Sequence, residues 1–549
     1  MEYKQMKVDR PGGADVPHQE RTTHRTSMTL QQDPVTGAIR LSLCGRPTFL
    51  CGGELHNSAA STREDIASGC DRLVRLGCNA VLAPVSWELI EPREGDFDLT
   101  LVDALVGAAR DRGIFLVPLW FGAFKNAIGC YAPEWVKLDD QRFPRVRRAP
   151  GMAAPVPPGW QPAPPPPADE PGLATWTFSC HAPALVEADA RAFAALMRRL
   201  SELDPDGSVV AMVQVENEVG IMQPRDRSAA ADVLFAAPVP EVLLAGLERL
   251  GERLDPDLAT RLDASGRLPR GDWTTAFGRF ADEVFMAWHI AGYCQRVASA
   301  GKAVWAVPMF TNAWLPPGPG YEPGQCPSGG PVPRVLDVWR LAAPDLDALA
   351  PDIYQEDYRA WCARYDRPGN PLIIPESRPT PAAATQALYA IGRHRAICVS
   401  TFGTEDCAPG HPLAEVHRLL RDFTPWIASG ATWAWLQQAD QELWDDAFAG
   451  WRFRVRSSRP RRDGVPNGAA LLISLGRDEF LLLGLGMTLV PVPADGCGEA
   501  MVLRQDEVAA QDGRLVALRR RNGDESAHGS GILLGDHPVA ISFHLHRYR

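Results

Sequence analysis

Long apolar runs are missing from this chain: nowhere in its 549 positions do eighteen hydrophobic residues follow one another, so no membrane-spanning helix and no membrane partner are expected. Positive charge is short as well. Lys and Arg number 56 against 67 Asp and Glu, a formal net charge of −11, and no basic stripe stands out, which excludes nucleic acid as a partner. The twelve cysteines lack a C-x-x-C pair and a histidine at zinc spacing, so they read as reduced thiols, and neither a metal nor a cofactor is expected. No G-x-G-x-x-G opens the first helical stretch, which disfavours a dinucleotide-binding open sheet. The first 29 residues contain no apolar segment of signal-peptide type; they read as a polar, disordered arm, and the chain as cytoplasmic.

The composition, 45% hydrophobic and 22% charged, is that of a folded protein able to bury a large core. From residue 30 a rhythm sets in. Short apolar segments at 47–54, 80–85, 114–120, 209–215, 304–310, 349–354, 372–375 and 396–401 alternate with amphipathic stretches. In 190–200, Phe193, Leu196, Met197 and Leu200 recur at helical spacing, and 275–300 carries Phe277, Phe280, Ala281, Val284 and Trp288 on one face. Eight strand–helix units over about 400 residues predict an α/β fold, a (β/α)8 (TIM) barrel spanning 30–425. Two insertions interrupt it, at about 147–172, with ten prolines in 150–171, and at 221–275, with a helical stretch near 240–254. Beyond 425 the helical period gives way to short apolar runs at 468–475, 479–483, 487–490 and 539–546, predicting a smaller β-rich, sandwich-like domain over 426–549.

The chemistry-bearing residues stand at strand ends. The fourth segment, VVAMVQVENEVG, runs apolar and then places Glu216, Asn217 and Glu218 at its C-terminal end. A carboxyl crowded into a partly dehydrated barrel mouth has its pKa raised and can act as a proton donor. Asn217 is placed to bond a hydroxyl. The seventh segment, PLIIPE, ends in Glu376 directly after an apolar run. A charge there is costly unless it faces the mouth. Sixteen tryptophans against nine tyrosines offer flat faces for sugar rings, although ordinary core packing accounts for most such residues.

An N-E ending strand four and an E ending strand seven resemble the retaining glycosidases built on this barrel. GGELHNS (52–58), GCNAVLAPVSWELIEPREGDFD (77–98), VQVENEVG (213–220) and the IIPE ending at Glu376 are similar to glycoside hydrolase family 35, the β-galactosidase family. GAALLISLGRDEFLLLG (468–484) also fits the bacterial branch of that family with a small β-rich C-terminal module. The resemblance implies a retaining, exo-acting enzyme that releases terminal β-D-galactose, with Glu218 as acid/base and Glu376 as nucleophile.

The supporting residues follow from strand ends too. Tyr354 is placed to donate to Glu376, with a core tyrosine the alternative. Glu54, His56 and Asn57 end the first strand, and Trp87 follows the second; all are candidates to face the sugar, as are Asn312 and Trp314 after the fifth. Many family members have a tyrosine where Asn57 stands. Better-known members place a glutamate after the third strand, where this chain has Lys125 and Asn126, and this departure bears on which sugar is preferred. Glu91 reads as a helix-start carboxylate, and Glu405 as either a cleft residue or a loop charge. The partner implied is a carbohydrate bearing terminal galactose; other β-glycosides, α-L-arabinopyranosides, a silent carbohydrate-binding role and a homodimer remain compatible.

Overall fold

The structure, a computed structural model, describes residues 28–33, 38–43, 45–149, 174–318, 320–458, 460–461 and 464–548. All eight expected strand segments take part in one parallel sheet: β1 (Leu50–Glu54), β2 (Ala80–Ser86), β3 (Phe115–Lys125), β4 (Val213–Asn217), β5 (Met309–Trp314), β6 (Ala348–Asp352), β7 (Ile373–Ile374) and β8 (Cys398–Val399). Their hydrogen-bonded order is β6-β5-β4-β3-β2-β1-β8-β7. The ring closes between β6 and β7, where the Ile353 N–H donates to the Glu376 carbonyl at 2.9 Å and Ile353 bridges Ser377 in parallel. A helix follows each strand: α1 (Arg63–Arg75), α2 (Thr100–Asp111), α3 (Pro183–Leu203), α4 (Ala281–Val304), α5 (Leu336–Ala342), α6 (Tyr358–Tyr365), α7 (Pro381–His394) and α8 (Leu413–Asp422). This is a (β/α)8 barrel.

Alternation along the strands builds two cores. Leu50, Leu82, Val117, Leu119, Met212, Phe310, Ala350 and Ile373 fill the barrel interior, while Val81, Leu116, Val213 and Ile374 pack outward against the helices. The interior is also covered by Met28 and Leu41, from the short strands Met28–Gln32 and Ile39–Leu43. Positions 28 and 29 therefore belong to a strand, correcting the expected limit of the polar arm: an open barrel end exposes apolar side chains, and this small sheet shields them. The remainder of that arm lies outside the described residues, as does the proline-rich stretch 150–171.

Two other expectations shift. The apolar pattern predicts the fifth strand at 304–310, but α4 continues through Val304, so β5 begins at Met309 and carries Asn312 and Trp314 within the strand. The helix expected over 275–300 is broken at Gly278, whose φ of 57° separates a short helix (Trp273–Phe277) from α4.

After Ala431 the chain forms a six-stranded and a four-stranded antiparallel sheet. The strands Ala469–Gly476 and Glu479–Leu485 are buried on both faces. Leu472, Phe480 and Leu482 pack between the two sheets, while Leu471, Ile473, Leu481 and Leu483 belong to the core shared with the barrel. That double burial is why this sequence runs continuously apolar instead of alternating. By contrast Trp451–Ser457, WRFRVRS, alternates strictly between buried and exposed. Against the six-stranded sheet lies α7, and Gly392 makes the approach possible: a Cβ there would sit 2.5 Å from Leu471 Cγ and 2.9 Å from Ala434 Cβ. Gly392→Ala is therefore expected to lower stability by about 1–3 kcal/mol, although alanine is the better helix former by roughly 1 kcal/mol. Urea unfolding followed by circular dichroism reads the difference as a lower midpoint.

Candidate active site

An extended E-N-E segment would point Glu216 and Glu218 to the same side of the sheet. The backbone prevents this. Glu216 has φ of 59° and Glu218 of 44°, left-handed conformations that side-chain-bearing residues adopt at a cost of about 1–3 kcal/mol each. Facing them, Asn126 (φ 52°) and Ala127 (φ 58°) end β3 in the same region, and their N–H groups donate to the Asn217 and Glu218 carbonyls at 3.3 and 3.1 Å. Gly220 completes the turn: a Cβ on it would lie 2.5 Å from Pro327.

The twist sends the two glutamates to different places. Glu216 turns back into the wall, where its carboxyl accepts the N–H groups of Ala123 and Phe124 at 3.3 and 2.8 Å. Beside it Asp189, from α3, accepts from Trp120 Nε1 (2.8 Å) and the Tyr293 hydroxyl (2.7 Å). Burial, then the adjoining Asp189, holds the Glu216 carboxyl well above the usual carboxylate range. Gly122 leaves room for the pair, since a Cβ would meet Glu216 Oε1 at 2.6 Å and Asp189 Oδ1 at 2.8 Å.

Glu218 turns toward the mouth and meets Glu376 from β7 and Asp352 from β6. Oxygens of the three carboxyls lie within 4.8 Å of one another, and all three residues are buried. Each already receives a donor from the protein. The Asn126 amide donates to Glu218, Asn312 Nδ2 to Asp352 at 2.8 Å, and Tyr354 donates its hydroxyl to Glu376 Oε2 at 2.7 Å. Asn217 Nδ2 approaches Glu376 Oε1 at 3.4 Å, and the Glu218 N–H donates to Asn312 Oδ1 at 2.9 Å. A trio this close attracts a divalent cation or a proton. The ring of amide and hydroxyl donors serves carboxyls that share protons, since a hard cation would be surrounded by acceptors.

Lys125 brings the positive charge. Its ammonium is buried, donates to Asn217 Oδ1 at 2.8 Å and lies 4.5 Å from the Phe121 ring centroid. Burial, and then Glu376, push the Glu218 carboxyl up to about 8, against the opposing pull of Lys125. Glu54, at the end of β1, is held well above the usual range by burial first and then by Glu376, and neither of its oxygens has a hydrogen-bond partner. The pocket in front of these groups has a volume of about 390 Å³; its walls include Asn57, Trp314, Tyr354 and Phe402.

Of the residues singled out in the sequence, Asn57, Lys125, Asn126, Glu218, Trp314, Tyr354 and Glu376 line this pocket. Trp314 is 40% exposed at its rim. Asn217 and Asn312 lie behind it and serve the carboxyls; Asn312 thus departs from its expected role at a sugar, because its amide is used on both sides. His56 stands beside the pocket, its Nε2 2.8 Å from Asp406 Oδ2 and its ring edge-on to Phe402. Glu405 proves to be a buried wall residue that accepts the His56 N–H at 2.7 Å. Trp87 is a correction. It is fully buried against Trp120 and Trp135, and its Nε1 donates to Glu91 at 2.8 Å, so no face is free for a sugar. Glu91 is also a correction: it is structural, but it follows the short helix Trp87–Ile90 instead of starting one, and it accepts the Gly95 N–H at 2.7 Å as well as the Trp87 indole. Asp352 was missed, although it ends strand six as Glu376 follows strand seven. The same signal, applied to APDIY, would have found it.

A family profile described as a domain of unknown function (DUF5597) matches residues 413–532, that is α8 and most of the β-rich part. No curated protein matches the chain. Among solved structures, it is similar to a β-galactosidase from Rahnella sp. R3 (17% identity, 70% of this chain and 57% of that one, TM-score 0.45). A β-galactosidase from Bacillus circulans (13%, 70% and 57%, 0.43) and the catalytic domain of a β-amylase from Paenibacillus polymyxa (12%, 67% and 97%, 0.43) are also similar. The chain spans a little over half the length of those two β-galactosidases. At such scores the likeness carries no function, and the barrel and its carboxyls carry the reading.

The raised Glu216 carboxyl makes stability depend on pH. Its pKa is raised on folding, so its contribution is complete below the unfolded carboxyl's pKa and is lost progressively as pH rises toward the folded value. Glu216→Gln has no such proton to lose. Relative to the parent, this variant is expected to become progressively more stable from pH 5 to pH 8, as read by urea unfolding at each pH.

Proposed function

We propose that the protein is a retaining glycoside hydrolase that releases terminal β-D-galactose from oligo- or polysaccharides, with the barrel (30–425) catalytic and the 426–549 region accessory. The observation that carries this reading is the approach of Glu218 and Glu376 to within 4.8 Å at the head of an open pocket. Carboxyls roughly 5–5.5 Å apart suit direct attack on the sugar, whereas an inverting pair stands farther apart to admit a water.

The roles follow from the surroundings. Tyr354 fixes one oxygen of Glu376, leaving the carboxylate to attack the anomeric carbon. Glu218, protonated near neutral pH, gives its proton to the leaving oxygen as the C1–O bond breaks and a glycosyl ester forms on Glu376. The Glu218 carboxylate then takes a proton from water, whose oxygen attacks C1 and frees Glu376, restoring the original anomeric configuration. Trp314 offers an aromatic face at the rim, and Asn57 is part of the polar wall. Glu54 and His56 extend the polar wall from the same strand end.

A second reading keeps the reaction and changes the sugar to another β-glycoside or an α-L-arabinopyranoside. It is favoured by Lys125 and Asn126, whose side chains are engaged with Asn217 and Glu218 where better-known members of family 35 have a glutamate. A panel of nitrophenyl glycosides separates the two, with galactoside expected to be cleaved fastest.

Incubation with a 2-fluoro galactosyl donor and peptide mapping is expected to place the label on Glu376; a label on another residue overturns the assignment. Glu376→Ala is expected to lower kcat by about four orders of magnitude without loss of the folded circular dichroism spectrum. Because the acid must carry its proton, kcat/KM is expected to fall as pH rises through about 8, and the residual activity of Glu218→Gln is expected to lack that limb. Treatment with a chelator is expected to leave the rate unchanged.

A further inference from the structure

Asp352 is used by no step above, yet it sits at the centre of the carboxyl group cluster. It is 1% exposed. Its Oδ2 accepts from Asn312, but Oδ1 has no hydrogen-bond partner in the protein. The groups that face it come from every side of the barrel mouth: Glu54 on β1, Lys125 on β3, Glu218 just after β4, Tyr354 just after β6, Tyr365 on α6 and Glu376 just after β7. None of the donors among them is directed at Oδ1. Lys125 is committed to Asn217, the Tyr354 hydroxyl to Glu376, and the Tyr365 hydroxyl to the Pro331 carbonyl at 2.8 Å. Buried carboxyls that face one another without a donor between them repel when both are ionised, and a proton on one converts the repulsion into a hydrogen bond.

We propose that Asp352 works as an un-ionised carboxylic acid that donates a hydrogen bond to Glu218, making it a positioning residue of the acid/base. The proposal rests on Glu218 having that role. Burial and the charges of Glu376, Glu218 and Glu54 hold the Asp352 carboxyl well above the usual range, in keeping with a retained proton. Glu218 then receives two donors, the Asn126 amide and the Asp352 acid, and its own proton is left for the pocket. Once that proton has gone to the leaving group, the same two donors hold the carboxylate in place to accept one from water. Asn312 ties the pair together, donating to Asp352 and accepting the Glu218 N–H. The donated bond also moderates the rise in the Glu218 pKa that burial and Glu376 impose.

Asp352→Asn tests this, because an amide keeps both an acceptor for Asn312 and a donor for Glu218. If Asp352 is neutral, the substitution removes no charge, and the basic limb of kcat/KM is expected to stay within about 0.3 units of the parent. If Asp352 were ionised, removing a charge so close to Glu218 would drop the limb by about one unit or more, and the proposal would be overturned. Asp352→Leu, similar in size but without a donor, is expected to raise the limb and lower kcat about ten-fold; a lowered limb counts against the proposal. A measurement without substrate guards against variants that fold poorly. The infrared difference spectrum of the folded parent minus Asp352→Asn at neutral pH is expected to show loss of a protonated-acid C=O band that is shifted by deuteration. Loss of carboxylate bands instead overturns the proposal. The infrared result is independent of turnover, so failure of the glycosidase reading leaves it standing, and its own failure leaves the assignment of Glu218 and Glu376 intact.

Discussion

Charge imbalance at the barrel mouth is the constraint on which the site depends. Glu54, Glu218, Asp352 and Glu376 converge there with Lys125 the buried cation acting on them. Burial and mutual repulsion hold the Glu54, Glu218 and Asp352 carboxyls above the usual carboxylate range. The donors they meet differ: Glu376 is given a phenolic hydroxyl, and Glu54 is given nothing.

The rest of the barrel serves this arrangement mechanically. The backbone bond from Ile353 to Glu376 closes the cylinder at the residue whose side chain enters the pocket, so ring closure and placement of that carboxylate are one event. Behind β4, the Glu216–Asp189 pair anchors the opposite wall, reaching from α3 through Trp120 to Tyr293 on α4. Glycine appears where a side chain would collide with this network, at Gly122, and with Pro327, at Gly220. The strained residues at 216, 218, 126 and 127 adjoin the pocket and are tied to one another by main-chain hydrogen bonds, which is how such conformations persist.

The β-rich region is joined to the barrel by a shared core. Leu471, Ile473, Leu481 and Leu483 turn one face of a central pair of strands toward α7, and their neighbours in sequence fill the sandwich. Such an interface resists relative motion more than a polar linker would. At the other end of the barrel, a small strand pair covers the interior with Met28 and Leu41. The mouth alone is left to polar groups, in keeping with the general placement of barrel sites at the C-terminal ends of the strands.

Hydrophobic periodicity by itself determined the eight strands, their order along the chain and the change to β structure after residue 425, because burial of apolar side chains is a local property of the sequence. It also marked Glu218 and Glu376, since a carboxylate ending an apolar strand has few places to go. Strands with both faces buried, the continuation of α4 through Val304 and the break at Gly278 were less legible, because a neighbour distant in sequence sets each one. The partners of the candidate side chains were decided by tertiary structure alone. Trp87 and Trp314 look alike as residues at strand ends, yet one is sealed by two other indoles and the other stands at a rim. Glu216 and Glu218 are two positions apart and chemically identical, and the sequence holds no sign that one turns inward onto the Ala123 and Phe124 N–H groups while the other faces the pocket. That divergence comes from left-handed backbone on both β4 and β3, held by hydrogen bonds between residues more than ninety positions apart, which only the closed barrel brings together.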